Sequence, residues 1–139
     1  MKTIQDEIRI EAPAKQVFDA LTEQAGYRGW WNTVAEVGES VGSEAKLRFV
    51  KDGQPVNMLF RIDEVTPDER VRWTCIGHDM PSWVGTTLAW TIRESGGSAL
   101  VGFEHAGWKD EAPAPVAEGW KHFLSSLKSY VETGTGQPW

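Results

Sequence analysis

The stretch PAPVAEGWKHFLSSLKSYVETGTGQP, residues 113–138, decides how the rest of the chain must fold. Val116, Trp120, Phe123, Leu124, Leu127 and Val131 recur at steps of three and four, so a 3.6-residue helix gathers them into one stripe. Lys121, His122, Ser125, Ser129 and Glu132 fall on the other side. Pro113 and Pro115 suit a first helical turn, where a missing N–H costs nothing. Gly134 is placed for a left-handed C-cap, and Pro138 forbids continuation. The spacing predicts a long amphipathic helix with a bulky aromatic face, which something large must cover.

The residues before it supply that cover, because the period changes to two. Glu44 to Lys51 sets Ala45, Leu47 and Phe49 on one face, and Asp52-Gly53 is a hairpin signal. Pro55 to Val65 aligns Val56, Met58, Phe60 and Ile62. Thr66-Pro67-Asp68-Glu69 reads as a turn. Arg70 to Ile76 then aligns Val71, Trp73 and Cys75. After a loop containing Gly77, Pro81 and Gly85, the inward face continues through Thr86, Leu88, Trp90 and Ile92. Ser95-Gly96-Gly97-Ser98 turns the chain into Ala99, Val101, Phe103 and His105. Val34 to Val37 reads as a short further strand. Alternation of this kind implies one wet face and one covered face.

The N-terminal part reads as a strand and two short helices. Thr3 to Glu11 alternates, with Ile4, Ile8 and Ile10 on one face and Asp6 as an intruder at an edge or frayed position. Pro13 opens a helix carrying Val17, Phe18 and Leu21, and Ala25 to Trp31 forms a second helix or turn. The expected fold is α+β: a curved antiparallel sheet wrapped around a long C-terminal helix, with two short helices after the first strand, in one domain spanning residues 1–139.

Composition narrows the function. The net charge of −6 argues against a nucleic-acid or anionic-membrane partner, both of which need a basic surface. One cysteine, Cys75, excludes an intrachain disulfide and is compatible with a reducing compartment. The charged N-terminus carries no apolar run of signal-peptide type, and no stretch is long enough to span a bilayer. A cytoplasmic location is expected.

The order strand, two helices, meander, long helix resembles the helix-grip fold of the START-like, birch-pollen-allergen-like (SRPBCC) superfamily. Within it, the chain is similar to the group containing the C-terminal domain of activators of the heat-shock chaperone ATPase. The residues that carry the resemblance are Ile10-Glu11-Ala12-Pro13, Val17 to Thr22, Trp30-Trp31, Trp83 to Thr86, His105-Ala106-Gly107-Trp108, and Gly119-Trp120 through Gly134. The resemblance implies binding of small apolar molecules, catalysis in a pocket, or contact with a chaperone.

Candidate chemistry is sparse. Gly38-Glu39-Ser40-Val41-Gly42 matches the G-x-S-x-G pattern, but strand alternation follows it rather than a helix, so a turn is the better reading. His78, His105 and His122 lack metal-ligand spacing, and neither a metal nor a cofactor is expected. His122 projects from the polar side of the long helix. His105 shares the apolar parity, as a satisfied core histidine or as a polar contact at a cavity mouth. Gly119 marks either a close helix–sheet approach or room for a ligand.

The eight tryptophans carry the main expectation. One helix crossing a large curved sheet leaves space at one end, and apolar walls with a few polar groups are the usual make-up of a small-molecule pocket. The expected lining is Trp31, Met58, Phe60, Trp73, Trp83, Trp90, His105, Trp108, Trp120 and Leu124, with Met80 adding adaptable contact. The leading function is binding of a small hydrophobic molecule, aromatic or lipid-like. The alternatives are a chaperone-interaction module and an enzyme in the same pocket. The reading leans away from catalysis, and no catalytic residue is assigned. Oligomeric state is left open.

Overall fold

A computed structural model describes residues 2–139. Seven strands, all antiparallel, form one sheet in the order β1-β7-β6-β5-β4-β3-β2. They are β1 (Ile4–Ile10), β2 (Glu36–Val37), β3 (Glu44–Lys51), β4 (Gln54–Thr66), β5 (Arg70–His78), β6 (Thr87–Ser95) and β7 (Ser98–Ala106). Helices α1 (Ala14–Ala20) and α2 (Gln24–Trp30) follow the first strand, and α3 (Ala114–Thr133) closes the order. This is the expected α+β helix-grip architecture. The meander from β2 to β7 is sequential: tight turns join β3 to β4, β4 to β5 and β6 to β7, and longer loops join β2 to β3 and β5 to β6. Asp52-Gly53 joins β3 to β4 with both residues at positive φ, 52° and 77°.

Alternation sorts the faces as the sequence requires. Ala45, Leu47 and Phe49 of β3, Val71, Trp73 and Cys75 of β5, and Leu88, Trp90 and Ile92 of β6 are all buried. Asp6 is half-buried on β1, a terminal strand of the sheet, which explains how it survives on the apolar parity. Arg61, Arg72 and Thr74 gather around Asp63 on β4, whose carboxyl is held below its usual value by these partners against the opposing effect of burial.

Helix α3 lays Trp120, Phe123, Leu124 and Leu127 on the sheet and ends at Gly134 in the left-handed region, at φ 86°. Pro113 stands just before its first turn, as the sequence requires. Ser40 lies exposed in the turn between β2 and β3, and a strand follows it. No helix among the described residues is long and apolar enough to cross a membrane.

Two short elements differ in extent from the sequence reading. The strand read at Val34–Val37 is only the two-residue β2, because the chain before it turns on an Ala35 N–H to Asn32 carbonyl bond. The loop after β5 contains a single 3₁₀ turn, Pro81–Trp83.

Candidate ligand-binding cavity

The space between sheet and α3 has two unlike ends. At one end α2 drives Tyr27, Trp30 and Trp31 into it. Tyr27 packs on Trp73 at 4.8 Å and Trp31 on Trp120 at 4.9 Å between ring centroids. Trp90, Phe103 and Phe60 complete a continuous aromatic core. At the other end a cavity of ≈ 420 Å³ stays open.

Sheet parity builds one wall of this cavity. Phe49 and Lys51 continue the inner row of Ala45 and Leu47, while Val56 and Met58 lie across from Phe49 and Leu47 in register. The first half of α3 builds the opposite wall with Val116, Gly119, Trp120 and Phe123, and Trp31 contributes where the cavity meets the core. His78, Met80 and Trp83 form one side, and Pro113, Pro115 and Trp139 complete the lining. A side chain built on Gly119 would meet nothing within 4 Å. Of the two readings of that glycine, close approach to the sheet is therefore corrected, and space is what the structure shows.

The segment after α3 doubles back to supply one edge. Gly136 lies so close to the Gly29 carbonyl and Ser126 that a side chain would meet them at 2.5 and 2.9 Å. Ser126 Oγ accepts from the Gln137 N–H and donates to the Trp30 carbonyl. Trp139 donates its N–H to the Trp31 carbonyl at 2.8 Å and accepts at its own carbonyl from the Thr33 N–H at 3.3 Å. Asn32, fully buried, fastens the same point. Its amide donates to the Trp139 carbonyl and to the Arg48 carbonyl, and accepts from the Arg48 N–H. One carboxamide thus caps the free edge of β3 and clamps the returning chain. The Trp139 ring then packs on Phe49 at 4.7 Å.

His105 stands behind this wall. Trp120 Nε1–H donates to His105 Nδ1 at 3.1 Å, so Nδ1 carries no proton. Nε2 must therefore bear it and donates to Thr86 Oγ1 at 2.9 Å, and the Thr86 hydroxyl in turn donates a hydrogen bond to the Trp83 carbonyl at 2.6 Å. Burial, with a smaller contribution from His78, pushes the imidazole pKa down to about 3 and keeps it neutral. This is the satisfied core histidine, and its two outer links, Trp120 and Trp83, are both cavity residues. It offers no acid–base pair to a bound molecule.

His78 and Trp83 form a second pair, stacked at 4.4 Å with planes 18° apart. His78 Nδ1 accepts the Met80 N–H at 2.8 Å, which leaves Nε2 as the protonated nitrogen. Burial lowers this histidine's pKa to about 4, against a smaller opposing pull from Asp79. The His78 Nε2 and the Trp83 Nε1 are both buried, and neither has a hydrogen-bond partner among the described residues.

Of the residues singled out from sequence, Trp31, Met58, Met80, Trp83 and Trp120 line the cavity. Phe60, Trp73, Trp90 and Leu124 do not; they belong to the packed core, each at most 3% exposed. His105 and Trp108 lie one layer behind the wall, 4.7 Å apart between ring centroids. Sequence reasoning missed Phe49, Val56 and Val116, although their parity and helical phase placed them inward. It also missed His78 and Lys51, and Trp139, whose position depends on a return path that no local pattern encodes. His122, read as solvated, is exposed but also lies 3.0 Å from the Gln137 carbonyl. Among the described residues no group of three His, Cys, Asp or Glu side chains could hold a metal ion.

The model of the family described as activator of Hsp90 ATPase homolog 1-like protein matches residues 11–132. The chain is similar to a solution structure of the Aha1 dimer from Colwellia psychrerythraea, at 28% identity and TM-score 0.81, covering 98% of this chain and 100% of that one. It superposes on a protein from Chromobacterium violaceum with TM-score 0.82 at 23% identity, over 94% of this chain and 97% of the other. A START superfamily protein from Mycobacterium smegmatis gives 0.74 at 16% identity, over 96% and 99%. Comparison with curated proteins finds no match.

Proposed function

The chain belongs to the activator of Hsp90 ATPase homolog 1-like family, within the START/SRPBCC superfamily, and from that premise we propose that it binds a small hydrophobic molecule in the cavity between β3, β4 and α3. The observation that carries this reading is the ≈ 420 Å³ of space walled by aromatic and aliphatic side chains beside an otherwise filled core. That volume lies within the usual range for small-molecule sites, roughly 300–1,000 Å³. Apolar walls favour an apolar guest because its transfer from water is downhill by about 25 cal/mol per Å² buried.

The test is a thermal scan with a panel of uncharged probes such as naphthalene, indole and dodecanol. A ligand held by the native state at 100 times its Kd adds about 2.7 kcal/mol, so a saturable rise in melting temperature is expected. Trp31, Trp83, Trp120 and Trp139 should report the same binding by fluorescence. No saturable response to any probe overturns the reading.

A second reading, contact with an Hsp90-type chaperone, has its own support. Met80 and Trp139 line the cavity yet are 38% and 53% exposed, so large apolar groups are presented at the rim. Rim aromatics of this kind suit a protein surface as well as a ligand. Saturable binding to a purified Hsp90 that weakens in Trp139→Ser would favour it, and a panel of chaperone concentrations without chemical-shift change at the rim would remove it.

A further inference from the structure

We propose that the cavity selects amphipathic anions, molecules with an apolar body and a single carboxylate or equivalent acid, over neutral and cationic analogues of the same shape. The proposal rests on the small-molecule reading of this cavity and names the class of ligand it takes. The chain has 20 acidic residues against 14 basic ones, yet no acidic side chain lines the cavity. Its ionisable lining groups are Lys51 and His78. In a chain of net charge −6, a wall without acidic side chains is a local reversal of sign.

The hydrogen-bonding capacity is equally one-sided. Lys51 has donors only, and it makes no ion pair among the described residues. Its parity with Phe49 turns it to the cavity side at the end of β3. The stacked His78–Trp83 pair adds two N–H groups with no acceptor among the described residues. Both of those N–H groups lie beneath the cavity surface, so the donor that a guest's acceptor reaches is the exposed Lys51 ammonium. An ionised acceptor makes the stronger bond. A cation would bring further donors to a wall that already lacks acceptors. A neutral hydrocarbon would fill the space and leave the donors as they are. The anion fits both charge and donor count, with its apolar body against Trp120 and Phe123.

The test is calorimetric titration with a matched series: 2-naphthylacetic acid, 2-naphthylacetamide and 2-(2-naphthyl)ethylamine. The acid should bind about five- to tenfold more tightly than the amide, the size of one charge-assisted hydrogen bond at a partly wet site, and the amine most weakly. Added salt should narrow the gap between acid and amide. Lys51→Met should close that gap, and Lys51→Glu should move the preference toward the amine. Lys51 is exposed, so both variants are expected to fold, which circular dichroism verifies. Equal binding of all three compounds overturns the proposal while leaving the cavity a hydrophobic site. An acid preference that survives in Lys51→Glu overturns it too. Binding of none of the three, nor of the uncharged probes, removes the small-molecule reading and this proposal with it.

Discussion

The two ends of the space under α3 are built from the same kinds of side chain and do different things. At the α2 end, Tyr27, Trp30, Trp73 and Trp90 are each at most 1% exposed and interlock. At the Trp139 end, Phe49, Met58, Trp83 and Phe123 face a void. The difference is which backbone arrives there. A helix of seven residues plugs the first end, whereas the loop after β5 and the segment returning after α3 only edge the second. An aromatic-rich interior is therefore not a pocket in itself. It becomes one where no secondary element is supplied to fill it.

The largest way to test that contrast is to cut a ring from the filled end. Trp90→Ala should lose about 3–5 kcal/mol, because the interlocked neighbours cannot collapse into the hole. Met58→Ala, at the half-buried cavity wall, should lose far less, about 1 kcal/mol, since space already lies beside it. Urea titration of the pair is decisive, and equal losses would erase the distinction between the ends.

The second test uses protons and reads the wall between the two ends. His105 titrates near 3 in the folded chain and near 6.5 when unfolded. The unfolded state then binds the extra proton between those values, so stability from this group is complete above about pH 6.5 and is lost as pH falls toward 3. Between pH 7 and 4.5 the loss should be on the order of 2–3 kcal/mol. His78, with a folded value of about 4, pulls in the same direction. His105→Phe should be less stable at pH 7, because Trp120 and Thr86 lose their partner, yet its stability should fall less steeply with acid. A slope identical to that of the parent protein would show that this imidazole is not held neutral by the fold.

The third test loosens the open end. Asn32→Ala removes the amide that serves the Arg48 backbone and the Trp139 carbonyl, at a cost of about 1–3 kcal/mol. Amide exchange should quicken at Gln137 and Trp139 while Leu124 and Leu127 in α3 stay protected. Uniform acceleration through α3 would mean that the returning segment and the helix open as one unit.

These contrasts also mark what the sequence could and could not disclose. Period-two runs such as Glu44–Lys51 and the stripe from Val116 to Val131 were readable because each residue's neighbours along the chain fix its face. That logic gives sheet, helix and inner surface. It does not tell a filled inner surface from an empty one. Trp73 and Met58 share the inward direction, and only α2, placed by contacts distant in sequence, decides that the first is core and the second is wall. Asn32 was invisible for the same reason: its partners are Arg48 and Trp139, 16 and 107 residues away. His105 was legible as an inward polar group, but its neutrality depends on the indole of Trp120, which only the packed helix brings to it.

The smallest expected effect falls on Gly119, and it should have the opposite sign. Glycine inside a helix costs about 1 kcal/mol relative to alanine, through the freedom it gives the unfolded chain. A methyl group at this position would meet nothing within 4 Å, so Gly119→Ala brings no clash to offset that gain. The variant should be more stable by about 1 kcal/mol, roughly 2–5 °C in melting temperature for a chain of this size. Because Gly119 lines the cavity, the same methyl group should reduce the space for a guest. Bulky probes should then bind more weakly while small ones such as indole bind as before. A stabilised variant with weakened binding of large probes would tie the empty volume beside α3 to function. A destabilised one would mean that the helix lies closer to the sheet than this geometry allows, and that the open end is as filled as its counterpart.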